Sequence, residues 1–176
     1  MNEPTDGELI ALFRARFDYY PVTGNLCHKG AINPITEDTS SEGYLRVRVN
    51  GKLYGVHRIA WAISHGTLPT KIDHRNRVRS DNRLQNLRAA TTAQNNMNRP
   101  MHRGKGVKLK GVSFHKRSQT YRARIKVNKT SHWLGQFGCA ISAALAYDRG
   151  ATYFFGEFAM TNFDLGLLDL LEVSHG

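Results

Sequence analysis

The chain has 176 residues, enough for one medium domain or two small ones, and its apolar content is ordinary for a globular protein. A formal net charge of +11 and an isoelectric point near 10.0 indicate a binder of polyanions, with nucleic acid as the leading partner. The alternative, a basic surface that only keeps the protein in solution, is less favoured. Two cysteines, Cys27 and Cys139, stand far apart without CxxC spacing, which argues against a zinc ribbon and against a disulfide framework.

The sequence offers no sign of a membrane protein. No apolar run approaches the length of a membrane span, and the N-terminus is acidic and lacks a secretory signal pattern. We therefore expect a cytoplasmic protein without a membrane partner.

The first elements in chain order are a helix and a hairpin. Thr5 and Glu8 have the spacing of a capping box, and the apolar residues after them predict a helix that ends near Phe17. Residues 17–26 predict a strand, a turn at Thr23-Gly24-Asn25 and a second strand. Residues 32–42 are polar and turn-rich, which predicts a loop.

A second hairpin is predicted over residues 44–56. Apolar and basic residues alternate up to Val49, and Asn50-Gly51 is a strong signal for a tight hairpin turn. Arg46 and Arg48 share one face, which could lie along a phosphate backbone. For each single arginine, an ordinary solvated face is about equally favoured.

Residues 57–98 combine a helix, two strands and a second helix around polar residues. A helix is predicted over residues 57–65, with His57 at its start in a structural or DNA-contacting position, and a short strand over residues 71–74. A polar loop follows up to residue 83, and Leu84, Leu87 and Ala90 return the chain to the core. Thr91 or Thr92 is expected to cap a last helix, which carries Asn95.

This segment contains the residue types of a phosphodiester-cleaving site. Asp73 and His74 are adjacent, and Asn86 and Asn95 follow. Hard oxygen ligands suit a divalent cation, and a neutral histidine can take a proton from water. Taken alone, the Asp73-His74 pair would be read as a buried strand pair in which the carboxylate orients the imidazole.

The combination resembles the HNH endonuclease family, in the branch found in phage and intron-borne homing or nicking enzymes. The matching pieces are the GYLRV strand, VHRIAW, IDH, NRLQNLR and TTAQNN. The resemblance implies a ββα-metal fold in which Asp73 and Asn95 hold one Mg²⁺ or Mn²⁺ per active site and His74 is the general base. Asn86 joins this catalytic set mainly as a structural residue that ties the loop, and its role as a metal ligand is the weaker interpretation. Asn82 and Asn96 receive no catalytic role. A histidine often stands where this chain has Asn95, a departure shared by the homing branch. If the protein is phage-encoded, its location would be the host cytoplasm.

Seven arginines of this half are candidate DNA contacts, although any one of them could be merely solvated: Arg46, Arg48, Arg58, Arg75, Arg77, Arg79 and Arg83.

A basic segment at residues 99–110 predicts a linker, and a second unit follows over residues 111–163. The pattern predicts strands at residues 111–115, 121–127 and 132–137 and a helix over residues 140–155, whose small residues allow close packing on the sheet. This unit resembles the APETALA/ethylene-response-factor type of DNA-binding domain in GVSFHK, YRARI, WLGQF and the Ala-rich helix. The resemblance implies that the sheet face enters the major groove. The candidates carried over are Ser113, His115, Arg117, Arg124, Lys126 and Trp133. Arg122 joins them because it shares one strand face with Arg124 and Lys126.

The departures from the plant pattern at Ser113, His115 and Arg124 mean that the plant target sequence does not transfer. A solvated sheet face is the alternative for the basic residues, and a place in the core is the alternative for Trp133.

Together these patterns predict an α+β protein: a ββα-metal (HNH) nuclease domain over residues 1–98, the linker over 99–110, a three-stranded antiparallel sheet packed on one helix over 111–163, and a tail over 164–176. The tail has helical spacing, which suits a packing helix or a dimer contact. The predicted function is cleavage of double-stranded DNA by a monomer or weak dimer. The rivals are a non-catalytic DNA-binding regulator, which would have no need to keep Asp73, His74 and Asn95, and an RNA-directed nuclease or RNA binder, which the lack of an aromatic stacking strand disfavours.

Overall fold

The chain forms two compact units, which are described separately: Met1–Thr92 and Ala93–Gly176. The computed structural model describes residues 3–36, 38–97 and 107–168. Residues 99–106 of the predicted linker lie outside the described residues, as do residues 169–176 of the tail. The described start of the tail, residues 164–168, forms turns instead of the helix that its spacing suggests.

The first unit opens with helix α1, Asp6–Arg16. The predicted capping box is confirmed: Glu8 N–H donates to Thr5 Oγ1 at 3.3 Å, and Thr5 N–H donates to Glu8 Oε2 at 2.8 Å. Each bond satisfies a backbone donor that a helix start leaves without an intrahelical partner. Ile10 and Phe13 face inward, so the helix is fixed to the core by its apolar side.

Two small antiparallel sheets follow α1. Strand β1, Phe17–Tyr20, pairs with β2, Asn25–His28, as the strand-turn-strand pattern predicts. Strand β4, Leu45–Val49, pairs with β5, Lys52–Gly55, across the Asn50-Gly51 turn. The prediction of a plain loop over residues 32–42 is wrong in one detail, because β3, Asp38–Thr39, adds to the edge of β4. Two residues are too few to give a period-2 signal.

Helix α2, Val56–His65, follows β5 directly and ends at Gly66, whose φ of 65° is the left-handed conformation that favours glycine at a helix end. Its inward face carries Ile59 and Ala62, which are fully buried against α1 and the β4–β5 hairpin. This core holds the α2 start in a fixed position, and His57 lies at that start.

The last elements of the motif region are two paired strands and a short helix. Strand β6, Lys71–His74, is antiparallel to β7, Leu87–Ala90, with Asp73 opposite Arg88 and His74 opposite Leu87. A turn of 3-10 helix, Leu84–Asn86, leads into β7, and α3, Thr92–Met97, comes after it. The division between the two units falls at the first residue of α3.

The second unit is a three-stranded antiparallel sheet with one long helix. Strands β8, Val112–His115, and β10, Thr130–Phe137, flank the central β9, Thr120–Val127. Helix α4, Ala140–Phe155, packs on one sheet face through small side chains, of which Ala143, Ala144 and Ala151 are fully buried. Small residues allow this close approach, as the sequence predicts.

Strand β10 contains a β-bulge at Leu134. Trp133 lies opposite Arg124 and Gly135 lies opposite Ala123, so one residue between them has no cross-strand partner. Gly135 has a φ of 136°, and a Cβ there would lie 2.8 Å from the Phe137 ring. The bulge brings Trp133 and Gln136 to the same face, although their spacing would place them on opposite faces of a regular strand.

Among the described residues, none of the helices combines the length and the apolar character that crossing a bilayer requires. The location of the protein in the cell stays a prediction.

Candidate active site

Strand β6 carries the two central residues of the predicted site into the interior of the first unit. Asp73 is 6% exposed and His74 is 3% exposed. Charged or polar groups with so little solvent contact need specific partners, because burial without them costs several kcal/mol by typical estimates (roughly 2–7 for a polar group). Both residues have such partners, and these partners define what each side chain can do.

Asp73 forms a buried ion pair across the strand ladder with Arg88. The Arg88 Nη2 and Nε atoms lie 2.6 Å and 2.8 Å from Asp73 Oδ2. Arg88 is 5% exposed, so the pair is shielded from solvent on both sides. The sequence predicts Asp73 as a metal ligand and offers no signal for Arg88. The register that places them opposite each other was not available from the pattern of residues.

His74 contacts Asn82, a residue for which the sequence predicts no catalytic role. The His74 Nε2 atom lies 3.2 Å from Asn82 Oδ1, while the Asn82 amide nitrogen donates to the Ser80 carbonyl oxygen at 3.2 Å. Since the amide nitrogen donates to Ser80, the oxygen faces His74 and accepts a hydrogen bond from Nε2–H. In a neutral imidazole this leaves the basic lone pair on Nδ1.

The surroundings of His74 keep it neutral. Burial lowers the pKa of the imidazole below its ordinary value, and the hydrogen bond to Asn82 and the Asp73 carboxylate oppose that shift. A neutral histidine with one defined tautomer is the form that can accept a proton.

Asn82 is itself held from the opposite side by the β1–β2 hairpin. The Tyr19 hydroxyl donates to the backbone carbonyl oxygen of Asn82 at 2.7 Å. The hairpin turn approaches so closely that a Cβ on Gly24 would lie 2.7 Å from the Asn82 carbonyl carbon. Asn82 is 2% exposed. In the sequence, Asn82 is one of several polar residues in a loop, and nothing in the pattern marks it as buried. Its contact with His74 depends on the conformation of the loop.

Asn86 closes the loop between the two strands. Its Oδ1 accepts from the Asn76 N–H at 3.0 Å, and its Nδ2 donates to the Asp81 carbonyl oxygen at 2.8 Å. Asp81 in turn accepts from Asn76 Nδ2 and from the Arg83 guanidinium. The hydrogen bonds to Arg83 hold the pKa of Asp81 at about 2. Both ends of the Asn86 amide therefore bond the loop backbone, which is the arrangement expected of a structural residue.

His74 belongs to a cluster of three rings, in which its neighbours are His57 and Tyr44. The His57 ring meets it edge-on at 5.3 Å between centroids, and the Tyr44 ring lies 5.8 Å from His74 and 5.1 Å from His57. Burial lowers the pKa of His57 to about 3, with the neighbouring His74 and Arg58 as further causes. The sequence predicts a structural or DNA-contacting position for His57, and the ring contacts place it beside His74.

The donor set suits an open metal site better than a closed one. Within residues 3–36, 38–97 and 107–168, no three His, Cys, Asp or Glu side chains form a group that could enclose a metal. Mg²⁺ commonly takes one or two carboxylates and leaves its other positions to water and substrate phosphate. Asp73 supplies one such carboxylate, so a metal there would bind beside Arg88. Asn95, the second predicted ligand, is half-buried in α3 and belongs to the second unit.

The candidate DNA-contacting arginines of the first unit differ in how much they are already engaged. Arg77 is exposed, and Arg75 is exposed with contacts of its own. The others make interactions within the protein: Arg48 with the Gly51 carbonyl, Arg58 with the Pro69 carbonyl, Arg79 with the Glu42 carbonyl and the Tyr44 ring, and Arg83 with Asp81; Arg46 is half-buried and also engaged.

The outer face of the sheet in the second unit carries a row of basic residues around a tryptophan. Arg124 and Arg122 lie over the Trp133 ring at 5.1 Å and 5.9 Å. Trp133 is 50% exposed, so the interpretation of this residue as part of the core is wrong. Lys126, Ser113 and Arg117 are exposed, and half-buried His115 bonds Ser118 at 2.7 Å. Ala123 and Ile125 face the other way and are buried under α4.

Comparison with known proteins bears on the first of these sites. Residues 54–97 match the family model described as HNH endonuclease, over a span that includes α2, β6, β7 and α3. A search of the curated proteins found no match. The family match indicates a nuclease domain that acts on nucleic acid. The family match ends at residue 97, so the resemblance of residues 111–163 to the APETALA/ethylene-response-factor type stays a prediction.

Proposed function

We propose that the protein is a DNA endonuclease that hydrolyses phosphodiester bonds with one divalent cation, of the site-preferring nicking or homing kind known from phages. The observation that carries this proposal is the buried His74, kept neutral by its surroundings and set in one tautomer by Asn82, next to the Asp73 carboxylate. The match of the same segment to the HNH endonuclease family supports the proposal. A buried ion pair alone would not require a neutral, oriented imidazole beside it.

In this mechanism His74 acts as the general base. Its Nδ1 takes a proton from a water molecule, whose oxygen attacks phosphorus as the bond to the 3′-oxygen breaks. Asn82 Oδ1 accepts a hydrogen bond from Nε2–H and holds the ring, so that the basic nitrogen keeps its direction during the step. Burial helps at neutral pH because it keeps the imidazole unprotonated.

Asp73 would hold the cation, and Asn95 is the second ligand that the sequence supports. When bound, Mg²⁺ or Mn²⁺ would stabilise the charge that develops on the phosphate and on the leaving oxygen. Arg88 fixes the position of the Asp73 carboxylate before the cation arrives. Asn86 keeps the loop closed, so that the two strands stay in register around the site.

Recognition of double-stranded DNA would involve both units. The loop after β6 offers the exposed Arg77 close in sequence to the base, where it could contact phosphate. In the second unit the face formed by Arg122, Arg124, Lys126 and Trp133 presents cations and an aromatic surface together. Such a face is better explained by contact with a DNA groove or backbone than by simple exposure to solvent.

A chain with one active site would nick one strand as a monomer. A double-strand break would need a second chain or a second cut. We therefore propose nicking as the primary activity of a monomer or weak dimer.

The test is cleavage of supercoiled plasmid in Mg²⁺ by the wild type, by His74→Ala and by the control His65→Ala, whose histidine is exposed at the end of α2. We expect nicked product from the wild type and the control, none from His74→Ala, and none from any of them in EDTA. Cleavage by His74→Ala at the wild-type rate would show that His74 is not the base. Cleavage in EDTA would show that the reaction needs no divalent metal.

The second candidate is a DNA-binding regulator whose nuclease fold no longer cuts. The specific observation in its favour is the Asp73–Arg88 pair, which already neutralises the carboxylate that a cation would need. If the wild type binds plasmid in a salt-dependent way and cuts none of the DNA or RNA substrates tested, this second candidate replaces the first.

A further inference from the structure

The ring cluster of Tyr44, His57 and His74 contains a histidine whose burial has no evident structural benefit. His57 Nδ1 is fully shielded from solvent, and it has no hydrogen-bond partner among the described residues. A buried polar atom without a partner is uncommon in folded proteins and normally destabilises them. Something other than stability must therefore account for an imidazole at this position.

The backbone around His57 is adapted to the ring. A Cβ on Gly55 would lie 2.5 Å from His57 Cε1 and 2.9 Å from Nδ1, so a side chain at position 55 would displace the ring. Gly55 directly precedes α2, whose first residues are fixed by the buried Val56 and Ile59. The missing side chain at Gly55 leaves the space that the His57 ring occupies, and in that place the ring lies 5.3 Å from the ring of His74.

His74 is thereby held from two directions. Asn82 holds its Nε2 edge through a hydrogen bond at 3.2 Å, and because the ring is bonded to Cβ, its remaining motion is a tilt about the Cβ–Cγ bond. The edge-on contact of His57 at 5.3 Å and the tilted contact of Tyr44 at 5.8 Å limit that tilt. Tyr44 is backed by the Arg79 guanidinium, which lies 4.9 Å above its ring and donates to the Glu42 carbonyl.

We propose that His57 is a positioning residue, whose ring holds the His74 imidazole in the orientation that proton transfer requires. The inference rests on the proposed function of His74 as a base. It assigns His57 a role through van der Waals and ring contact, without contact to DNA or metal. The shape of the ring, not Nδ1, carries the effect, because Nδ1 is buried and has no hydrogen-bond partner among the described residues.

The test compares three variants: His57→Ala, His57→Phe and Ile59→Val, a control that disturbs the core of the same helix without touching His74. We expect His57→Ala to slow single-turnover nicking at saturating DNA by about tenfold to a hundredfold, as misplaced catalytic groups do. The affinity for DNA should not change. His57→Phe, which keeps a ring in place, should restore most of the rate, and Ile59→Val should match the wild type.

A second readout does not depend on activity. The ¹⁵N chemical shifts of His74 report its tautomer and its environment. We expect them to show one Nε2–H tautomer in the wild type and in His57→Phe, and an altered or averaged signal in His57→Ala. An unchanged His74 signal in a folded His57→Ala variant overturns the proposal even if the protein cuts no DNA. If the His74 signal changes in His57→Ala but the wild type cuts no DNA, the positioning contact is supported and the proposed nuclease function is rejected.

Two outcomes of the rate measurement also count against the proposal. One is a wild-type rate in His57→Ala. The other is a loss that His57→Phe fails to restore while its melting temperature stays near that of the wild type, because the ring shape would then not be the cause.

Discussion

His74 and Asn82 form a hydrogen-bonded pair in which the side-chain oxygen Oδ1 of Asn82, 3.2 Å from Nε2, selects the tautomer of the histidine. Nδ1 is left as the basic nitrogen. The pair joins a strand residue to a loop residue, so the geometry of the base depends on how the loop from Arg75 to Arg83 is closed.

The first prediction follows from this pair. Asn82→Ala removes the acceptor, and we expect nicking to slow by about tenfold to a hundredfold, less than the roughly 10²–10⁴-fold that general-base catalysis contributes in full, because His74 itself is still present. Asn82→Asp places a carboxylate beside the imidazole and raises the pKa of His74. As the pH is lowered, His74 should therefore be protonated earlier, and the rate should begin to fall at a higher pH than in the wild type. The measurement is the pH dependence of the single-turnover rate.

The matched control is Asn76→Ala, which lies in the same loop and bonds Val78 and Asp81 without contacting His74. If Asn76→Ala and Asn82→Ala slow the reaction equally, loop closure and not the tautomer explains the loss.

The Asp73–Arg88 pair predicts a large effect on stability. Arg88→Ala leaves a buried carboxylate without its partner, which typically costs about 3–5 kcal/mol in the free energy of unfolding. Replacing both residues, as in Asp73→Leu with Arg88→Met, should recover much of that loss, because no buried charge remains. Urea unfolding of the first unit measures both. Arg48→Ala, at an exposed position, is the control, and a loss below about 1 kcal/mol for Arg88→Ala would place the pair with solvent-exposed ion pairs instead.

The same pair predicts that the fold does not depend on a metal. Arg88 compensates the charge of Asp73 before any cation binds, so EDTA should abolish cleavage without unfolding the protein. We expect the melting temperature in EDTA and in Mg²⁺ to differ by less than about 4 °C, the shift that 1 kcal/mol produces in a chain of this size. A protein that unfolds on chelation would instead contain a structural metal site.

His57 predicts a loss of stability in acid. Its pKa is about 3 in the folded protein and near 6.5 in the unfolded chain, so the unfolded state binds one more proton between these values. The contribution of neutral His57 is complete above pH 6.5 and decreases by about 1.4 kcal/mol per pH unit as the pH falls toward 3. His57→Phe cannot be protonated, and its free energy of unfolding should decrease less steeply in this window.

The control for this measurement is His65→Phe, at the exposed end of α2, which should keep the wild-type slope. Parallel curves for the wild type and His57→Phe would show that His57 titrates alike in the folded and unfolded states.

The sheet of the second unit predicts a salt-dependent interaction with DNA. Each of Arg124→Ala and Lys126→Ala should weaken binding of a duplex and reduce the slope of log K against log salt concentration by about one. Arg149→Ala is the control, because this exposed arginine lies on α4, which covers the opposite sheet face. Equal effects of all three variants would indicate attraction by net charge alone.

Local patterns predicted most elements of the fold. The capping box at Thr5, the Asn50-Gly51 turn, strand β6 and helix α4 were each predictable because the signal lies within a few neighbouring residues. The contacts that define the site were not predictable in the same way. Arg88 meets Asp73 through the strand register, and Asn82 meets His74 through a loop conformation, and both depend on residues far apart in the chain. Strand β3 escaped because two residues carry no periodicity.

The bulge at Leu134 lets strand β10 carry one more core side chain without changing its outer face. Removing Leu134 would leave Trp133 and Gln136 two positions apart, so both would stay on the face that carries Arg122 and Arg124. The loss would fall on the other side of the sheet, where Leu134 packs against the cluster of Ala123 and Ala143. A single in-frame deletion at this position would therefore weaken the packing under the sheet and leave the basic face in place.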